Sequence, residues 1–166
     1  MKIYIDFDGV ILDTDSVMMN EFDGDYNSDE RRNFVLNYDW SKLMDDRLII
    51  NNCIHYIKNS KMNTSLLTRV SSIKEGYNKI KYLRDKGINM DIHIVPSGIS
   101  KSDVVNAKGN VLIDDKLYNL DKWNEEGGIS IFFNKDNNNF DVYGHENTKY
   151  PKISDLKLLL DKNYFN

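Results

Sequence analysis

With 166 residues, a formal net charge of −4, 40% hydrophobic and 29% charged residues, the chain is long enough for one domain with a small insert and too apolar for a disordered polymer. The acidic balance gives no general basic surface for duplex nucleic acid, no run reaches membrane-spanning length, and the N-terminus enters an acid-bearing strand directly; a cytoplasmic protein with no membrane partner is expected. The single cysteine, Cys53, excludes an intrachain disulfide framework and a cysteine-only metal cluster, and its apolar surroundings make it a core residue before a nucleophile.

Ile3, Tyr4 and Ile5 form an apolar run too short for a helix, which predicts a buried first strand. The run ends abruptly at Asp6 and Asp8, two apart, whose carboxylates project to one side of an extended backbone, while Gly9 permits a turn straight afterwards. Like charges so close raise each other's pKa unless a cation compensates, which suits a hard, oxygen-loving divalent ion such as Mg²⁺; a polar strand terminus leading into a loop is the plain alternative. From Asp15 to about Met62 the pattern turns helical. Ser28 with Asp29 and Glu30 predicts a helix start, Asp39 caps a turn carrying Trp40 and Leu43, and Leu48, Ile49, Cys53, Tyr56 and Ile57 recur at helical spacing from Asp45. Tyr38 and Trp40 suit either stacking on a base or packing of this insert onto the main domain.

A second strand is predicted over Ser65 to Val70, then a helix from Ile73 with Tyr77, Ile80 and Leu83 on one face and Gly87 at its end. Ile88, Met90, Ile92 and Ile94 alternate with polar residues toward Pro96, giving a third strand. Lys101 opens a short helix ending near Gly109, Val111 to Asp115 is a fourth strand, and Leu117, Leu120 and Trp123 share a face of the next helix. Gly127 and Gly128 stop it before a fifth strand over Ile129 to Phe133. Asn134 to Tyr150 reads as a long polar loop, after which Ser154 is expected to cap a terminal helix bearing Leu156, Leu159 and Leu160.

Strands alternating with helices in this way predict a doubly wound, Rossmann-like α/β fold with a parallel sheet. Its core is residues 1–14 and 63–166, and a small helical cap, residues 15–62, is inserted after the first strand. Right-handed crossovers gather the strand ends on one edge, where Asp6, Asp8, Thr68, Asp114 and Asp115 meet. Taken singly, Thr68 is a strand-end hydroxyl, Lys101 a solvated helix start and Arg69 either a substrate contact or half of a surface ion pair. His55, His93 and His145 show no zinc spacing.

The order Asp6-Phe7-Asp8-Gly9-Val10, then Leu66-Leu67-Thr68, then Lys101, then Leu112-Ile113-Asp114-Asp115 resembles the four motifs of the haloacid dehalogenase (HAD) superfamily over residues 3–133. Within it, the insert after the first motif and the run Asn119, Trp123, Gly127, Gly128 are similar to the 5'(3')-deoxyribonucleotidase group. The resemblance implies a Mg²⁺-dependent phosphomonoester hydrolase. Asp6 is then the nucleophile that forms an aspartyl-phosphate, and Asp8 protonates the leaving alcohol and later activates water. Mg²⁺ is held by the Asp6 carboxylate, the Asp8 backbone carbonyl and Asp114, with Asp115 either a direct ligand or a group behind the ligands. Thr68 and Lys101 receive the phosphoryl group, with Lys108 the second candidate for the lysine role. The implied partner is a small-molecule phosphomonoester, a nucleoside monophosphate first, with Arg69 and Trp40 as further substrate contacts. A sugar phosphate substrate and a catalytically silent relative that binds a partner are the competing expectations.

Overall fold

The structure is a computed structural model and describes residues 1–25 and 28–165. Six strands, β1 (Ile3–Ile5), β2 (Thr64–Val70), β3 (Asp91–Pro96), β4 (Val111–Asp114), β5 (Ile129–Phe133) and β6 (Lys152–Ile153), form one parallel sheet in the order β3-β2-β1-β4-β5-β6. β1 is central. Its register sets Ile5 beside Leu66 on one side and Ile113 on the other, so the residues that follow these strands emerge together at one edge.

Both faces of the sheet are covered, which is why the strands read as nearly continuous apolar runs. Ile3, Ile5, Leu66, Ile113, Ile131 and Phe133 face one layer with Tyr82, Leu83 and Leu159; Tyr4, Leu67, Leu112 and Phe132 face the other with Leu117, Leu120 and Trp123. The alternation is the two-residue period of a strand. Trp123 stacks edge-on to Tyr4 and donates its indole N–H to the Asn110 carbonyl at 3.1 Å, a core role as expected.

The helices are α1 (Thr14–Glu21), α2 (Asp29–Asn37), α3 (Cys53–Lys58), α4 (Ile73–Asp85), α5 (Lys101–Val104) and α6 (Leu117–Glu125). Ser28 caps α2 by accepting from the Arg31 N–H at 3.1 Å, and Asp39 caps a 3-10 turn over Trp40–Leu43, both as the sequence predicts. The described residues of the 15–62 segment are packed in two ways. Met18, Tyr38, Trp40 and Leu43 make a small apolar cluster of their own, whereas Cys53 and Ile57 of α3 enter the main core. The helical spacing from Asp45 is interrupted because Asn51 and Asn52 adopt φ of 40° and 60° and turn the chain before α3.

Five further details differ from the sequence reading. The buried face of α4 is Glu75, Gly76, Lys79, Tyr82 and Leu83, while Tyr77 is 62% exposed. β3 starts at Asp91 instead of Ile88, and α5 stops at Val104. β6 was not expected; it sits beside Phe132 and Phe133 through two residues only. The expected terminal helix is a 3-10 turn over Lys157–Leu160, preceded by Leu156 and not capped by Ser154.

Candidate active site

The site lies where β1 and β4 end. The backbone N–H of Asp6 still belongs to the ladder, donating to the Ile113 carbonyl at 3.0 Å, so the Asp6 side chain is delivered next to Asp114 by sheet register alone. The chain then reverses: the Phe7 carbonyl accepts from Ile11 N–H at 2.9 Å and Gly9 N–H donates to Leu12 at 2.8 Å. Gly9 has φ +73°, and a Cβ there would lie 2.2 Å from Asp115 Oδ2. A side chain at this position is excluded both by backbone conformation and by the approach of Asp115.

Lys101 is the first residue of α5, whose start is set by Asp103 accepting from the Ser100 N–H at 3.1 Å. Its side chain is 2% exposed, with Nζ 2.9 Å from Asp6 Oδ1 and 2.6 Å from Asp114 Oδ2. Asp114 also accepts from the Lys116 N–H at 2.9 Å and from Asn119 Nδ2 at 3.0 Å. Burial pushes the Asp6 carboxyl up, but the Lys101, Lys116 and Lys79 ammonium groups outweigh it and hold Asp6 below the usual carboxylate range. Asp114 goes the other way, raised by burial against the pull of Lys101, with Asp6 adding to the rise. Asp115 is raised well above its ordinary value by burial, opposed by Lys116 and reinforced by Asp15, Asp114 and Asp6.

Asp6, Asp114 and Asp115 each present a carboxylate oxygen within 4.8 Å of the others, and all three are buried. Asp115 Oδ1 is buried with no hydrogen-bond partner, and Asp6 Oδ1, though close to the Lys101 ammonium, has no aligned hydrogen bond. Hard oxygen donors, an orphaned buried oxygen and two carboxyls, Asp114 and Asp115, whose burial is not fully offset fit a small divalent cation. Among the described residues no other such cluster is found, and no histidine takes part in one.

Asp8 stands apart from the three metal-type carboxylates. Its Oδ1 accepts from Thr14 Oγ1 at 2.7 Å and its Oδ2 lies 2.5 Å from Lys79 Nζ. Thr68 is fully buried and meets the same ammonium at 3.3 Å. Arg69, half-buried, donates from Nη2 to the Ile99 carbonyl at 3.1 Å, while its Nε is buried without a partner. Lys108 is exposed and lies against Gly127, away from the carboxylates that Lys101 reaches. Trp40 is 5% exposed, packed with Met18, Tyr38 and Leu43; its indole N–H goes to the Val35 carbonyl at 3.2 Å and its ring lies 4.9 Å from Lys79 Nζ. That is a packing role, with the indole buried in the insert's own cluster. Cys53 is also inert: its thiol contacts the Val10 carbonyl at 3.1 Å, and burial pushes its pKa up to about 12.

Two lysines that the sequence did not single out belong to the site. Lys79 joins Asp8, Thr68 and Glu75, the last at 2.6 Å. Lys116, directly after the acidic pair, lies 2.9 Å from Asp15 of α1, and although burial lowers its pKa, Asp15 and Asp115 raise it well above the lysine value. Beside Gly9 and Asp115 opens a cavity of about 210 Å³ whose walls include Asp13, Asp15, Ser16, Lys135, Asn138 and Phe140. Lys135 ties its rim by pairing with Asp13 and by reaching Ser16 Oγ at 2.9 Å.

No family model matches the sequence, and no curated protein does either. Solved structures do resemble it. YfnB of Bacillus subtilis, named a HAD-hydrolase and solved bound to magnesium, aligns with a TM-score of 0.60 at 12% identity, over 95% of this chain and 96% of its own. D,D-heptose 1,7-bisphosphate phosphatase from Burkholderia thailandensis gives 0.53 at 12% identity over 94% and 93%. The haloacid dehalogenase-like protein SP0104 from Streptococcus pneumoniae gives 0.50 at 14% identity over 99% and 90%. At such identities the likeness establishes architecture: the chain has the α/β fold of haloacid dehalogenase-like hydrolases.

Proposed function

We propose that the chain is a phosphomonoester hydrolase that acts through an aspartyl-phosphate on Asp6. The observation that carries the reading is the buried Lys101 ammonium set between Asp6 and Asp114, at the sheet edge where three carboxylates converge. Asp6, held ionised by its lysine neighbours, attacks phosphorus; as the Asp6–phosphorus bond forms, the ester oxygen leaves and takes a proton from Asp8. Water then attacks phosphorus, Asp8 accepts its proton, and inorganic phosphate departs with Asp6 regenerated. Lys101 and the Thr68 hydroxyl stabilise charge on the phosphoryl oxygens. Asp6, Asp114 and Asp115 would hold the divalent cation, Mg²⁺ by the chemistry of the donors, which supplies neutralisation of the phosphate charge.

For the substrate, the cavity beside Asp115 favours a small polyhydroxylated phosphate ester. Its volume of about 210 Å³ is below the roughly 300–1,000 Å³ usual for pockets that engulf drug-sized ligands, and its walls carry carboxylates, the Ser16 hydroxyl and the Asn134 and Asn138 amides, groups that pair with sugar hydroxyls. Arg69, next to Thr68, is assigned a supporting contact. The nucleoside monophosphate implied by motif resemblance competes, but its proposed base platform, Trp40, is buried. The test is phosphate release from sugar phosphates, nucleoside monophosphates and an aryl phosphate, with Mg²⁺ and with EDTA. Asp6→Asn should melt near the wild type yet lose turnover by at least roughly 10³-fold. A variant rate close to wild type overturns the mechanism, and a clear preference for nucleotides overturns the substrate assignment alone.

A further inference from the structure

Helix α4 carries a lysine with no exposed surface. Lys79 Nζ has four acceptors around it: Asp8 Oδ2 at 2.5 Å, Glu75 Oε1 at 2.6 Å, the Arg69 carbonyl at 3.1 Å and Thr68 Oγ1 at 3.3 Å. Its ammonium also faces the Trp40 ring at 4.9 Å and the Phe7 ring at 5.5 Å. An ammonium so completely removed from water needs compensation, and Glu75, one turn earlier on the same helix, already supplies one carboxylate. The contact with Asp8 therefore goes beyond what neutrality requires. Asp8 is gripped at its other oxygen as well, by Thr14 Oγ1 at 2.7 Å.

We propose that Lys79 is the positioning residue for Asp8: with Thr14 it fixes the direction of the Asp8 carboxyl, and the Trp40 indole lying against the ammonium makes that setting depend on a seated insert. Glu75 offsets the lysine charge, so the contact constrains direction. The proposal rests on reading Asp8 as the proton donor to the leaving alcohol. An alkoxide needs that proton as the phosphorus–oxygen bond breaks; a nitrophenolate leaves without it. Thr68, by contrast, meets the phosphoryl group that every ester shares.

The experiment measures kcat/KM with Mg²⁺ for an alkyl phosphate and for 4-nitrophenyl phosphate, in wild type, Lys79→Met and the double variant Lys79→Met/Glu75→Gln, beside their melting temperatures. The ratio kcat/KM reports steps up to expulsion of the alcohol. Loss of directed proton transfer should lower kcat/KM by at least about 10²-fold on the alkyl ester and by at least about tenfold less on the aryl ester, whose own loss reads the Lys79 contact with Thr68. The double variant, relieved of an unpaired buried Glu75, should recover the melting temperature and not the alkyl rate. Equal losses on the two esters, no loss on either, or recovery of alkyl turnover in the double variant overturns the assignment. A wild type inactive on both esters removes the phosphatase reading and this proposal with it.

Discussion

Lys101→Met tests how the acidic site is balanced. The side chain is 2% exposed and its Nζ lies 2.9 Å from Asp6 and 2.6 Å from Asp114, so methionine keeps the apolar stem and removes the only cation bridging these two carboxylates among the described residues. Breaking a buried pair by deleting one partner costs about 3–5 kcal/mol. Lys101 serves two acids, but the losses share one neighbourhood and do not add, so the upper end of that range is the reasonable ceiling. For a domain of this size each kcal/mol moves the melting temperature by about 2–4 °C, which gives a fall of about 6–20 °C in EDTA. A divalent cation at about 100 times its Kd returns about 2.7 kcal/mol. It should raise the variant more than the wild type, because no ammonium competes for Asp6 and Asp114. Differential scanning calorimetry in EDTA and in Mg²⁺ reads both effects. A metal-free variant melting within about 2 °C of wild type refutes the reasoning, since it would mean that the carboxylates do not need the lysine charge.

The buried acids also predict a pH dependence. Burial holds Asp115, Asp114 and Glu75 above the ordinary carboxylate range, so the folded protein binds more protons than the unfolded chain; their stabilisation is present below that range and is lost as pH rises through the raised values. Asp6 runs oppositely, its contribution present above the ordinary range and lost as pH falls through its depressed value. The melting temperature in EDTA should thus decline as pH rises above the ordinary carboxylate range while the Mg²⁺-loaded protein holds steady, and equal profiles in the two buffers would contradict it. Trp40→Ala should cost about 3–5 kcal/mol in denaturant unfolding, because it empties the insert's own cluster, and should slow a nucleoside monophosphate and a simple alkyl phosphate alike. A loss confined to nucleotides with stability changed by less than about 1 kcal/mol would restore the indole as a base platform.

The strand ends were legible because charge interrupts apolar runs there: Ile5 gives way to Asp6 and Ile113 to Asp114, and register does the rest. Lys79 was not. On a helix, Glu75 and Lys79 at a spacing of four look like a solvated ion pair, while Ile73, Tyr77 and Ile80 suggest the apolar face. In the structure Ile73 is 93% exposed and the charged pair is buried. One signal was available. Gly76 stands inside the helix between the two charges, where a Cβ would touch Ile94 and Val70 at 3.7 and 3.8 Å, marking this face as the one pressed against the sheet. β6 offered no signal, since a ladder of two half-buried residues is held by backbone groups: Phe132 N–H to Pro151 and Asn134 N–H to Ile153, both at 2.9 Å.

Substrate selection lies at a level that motif order does not reach. The proposed reacting groups sit at the ends of β1, β2 and β4 and the start of α5, positions that sequence spacing can index. The cavity beside them is assembled by the segment after β5, whose Asn134 to Val142 side chains meet Asp13, Asp15 and Ser16 across a separation of more than a hundred residues. Lys135 and Lys116 join those two parts by pairing with Asp13 and Asp15, so four charged residues that look like ordinary surface polarity in the sequence define the mouth of the site. Such pairs are weak in open water and gain strength where the neighbours are buried, as Lys116 is between Asp15 and Asp115. The polar segment over 134–142, featureless as a pattern, therefore supplies one wall of the cavity on which the proposed substrate assignment rests.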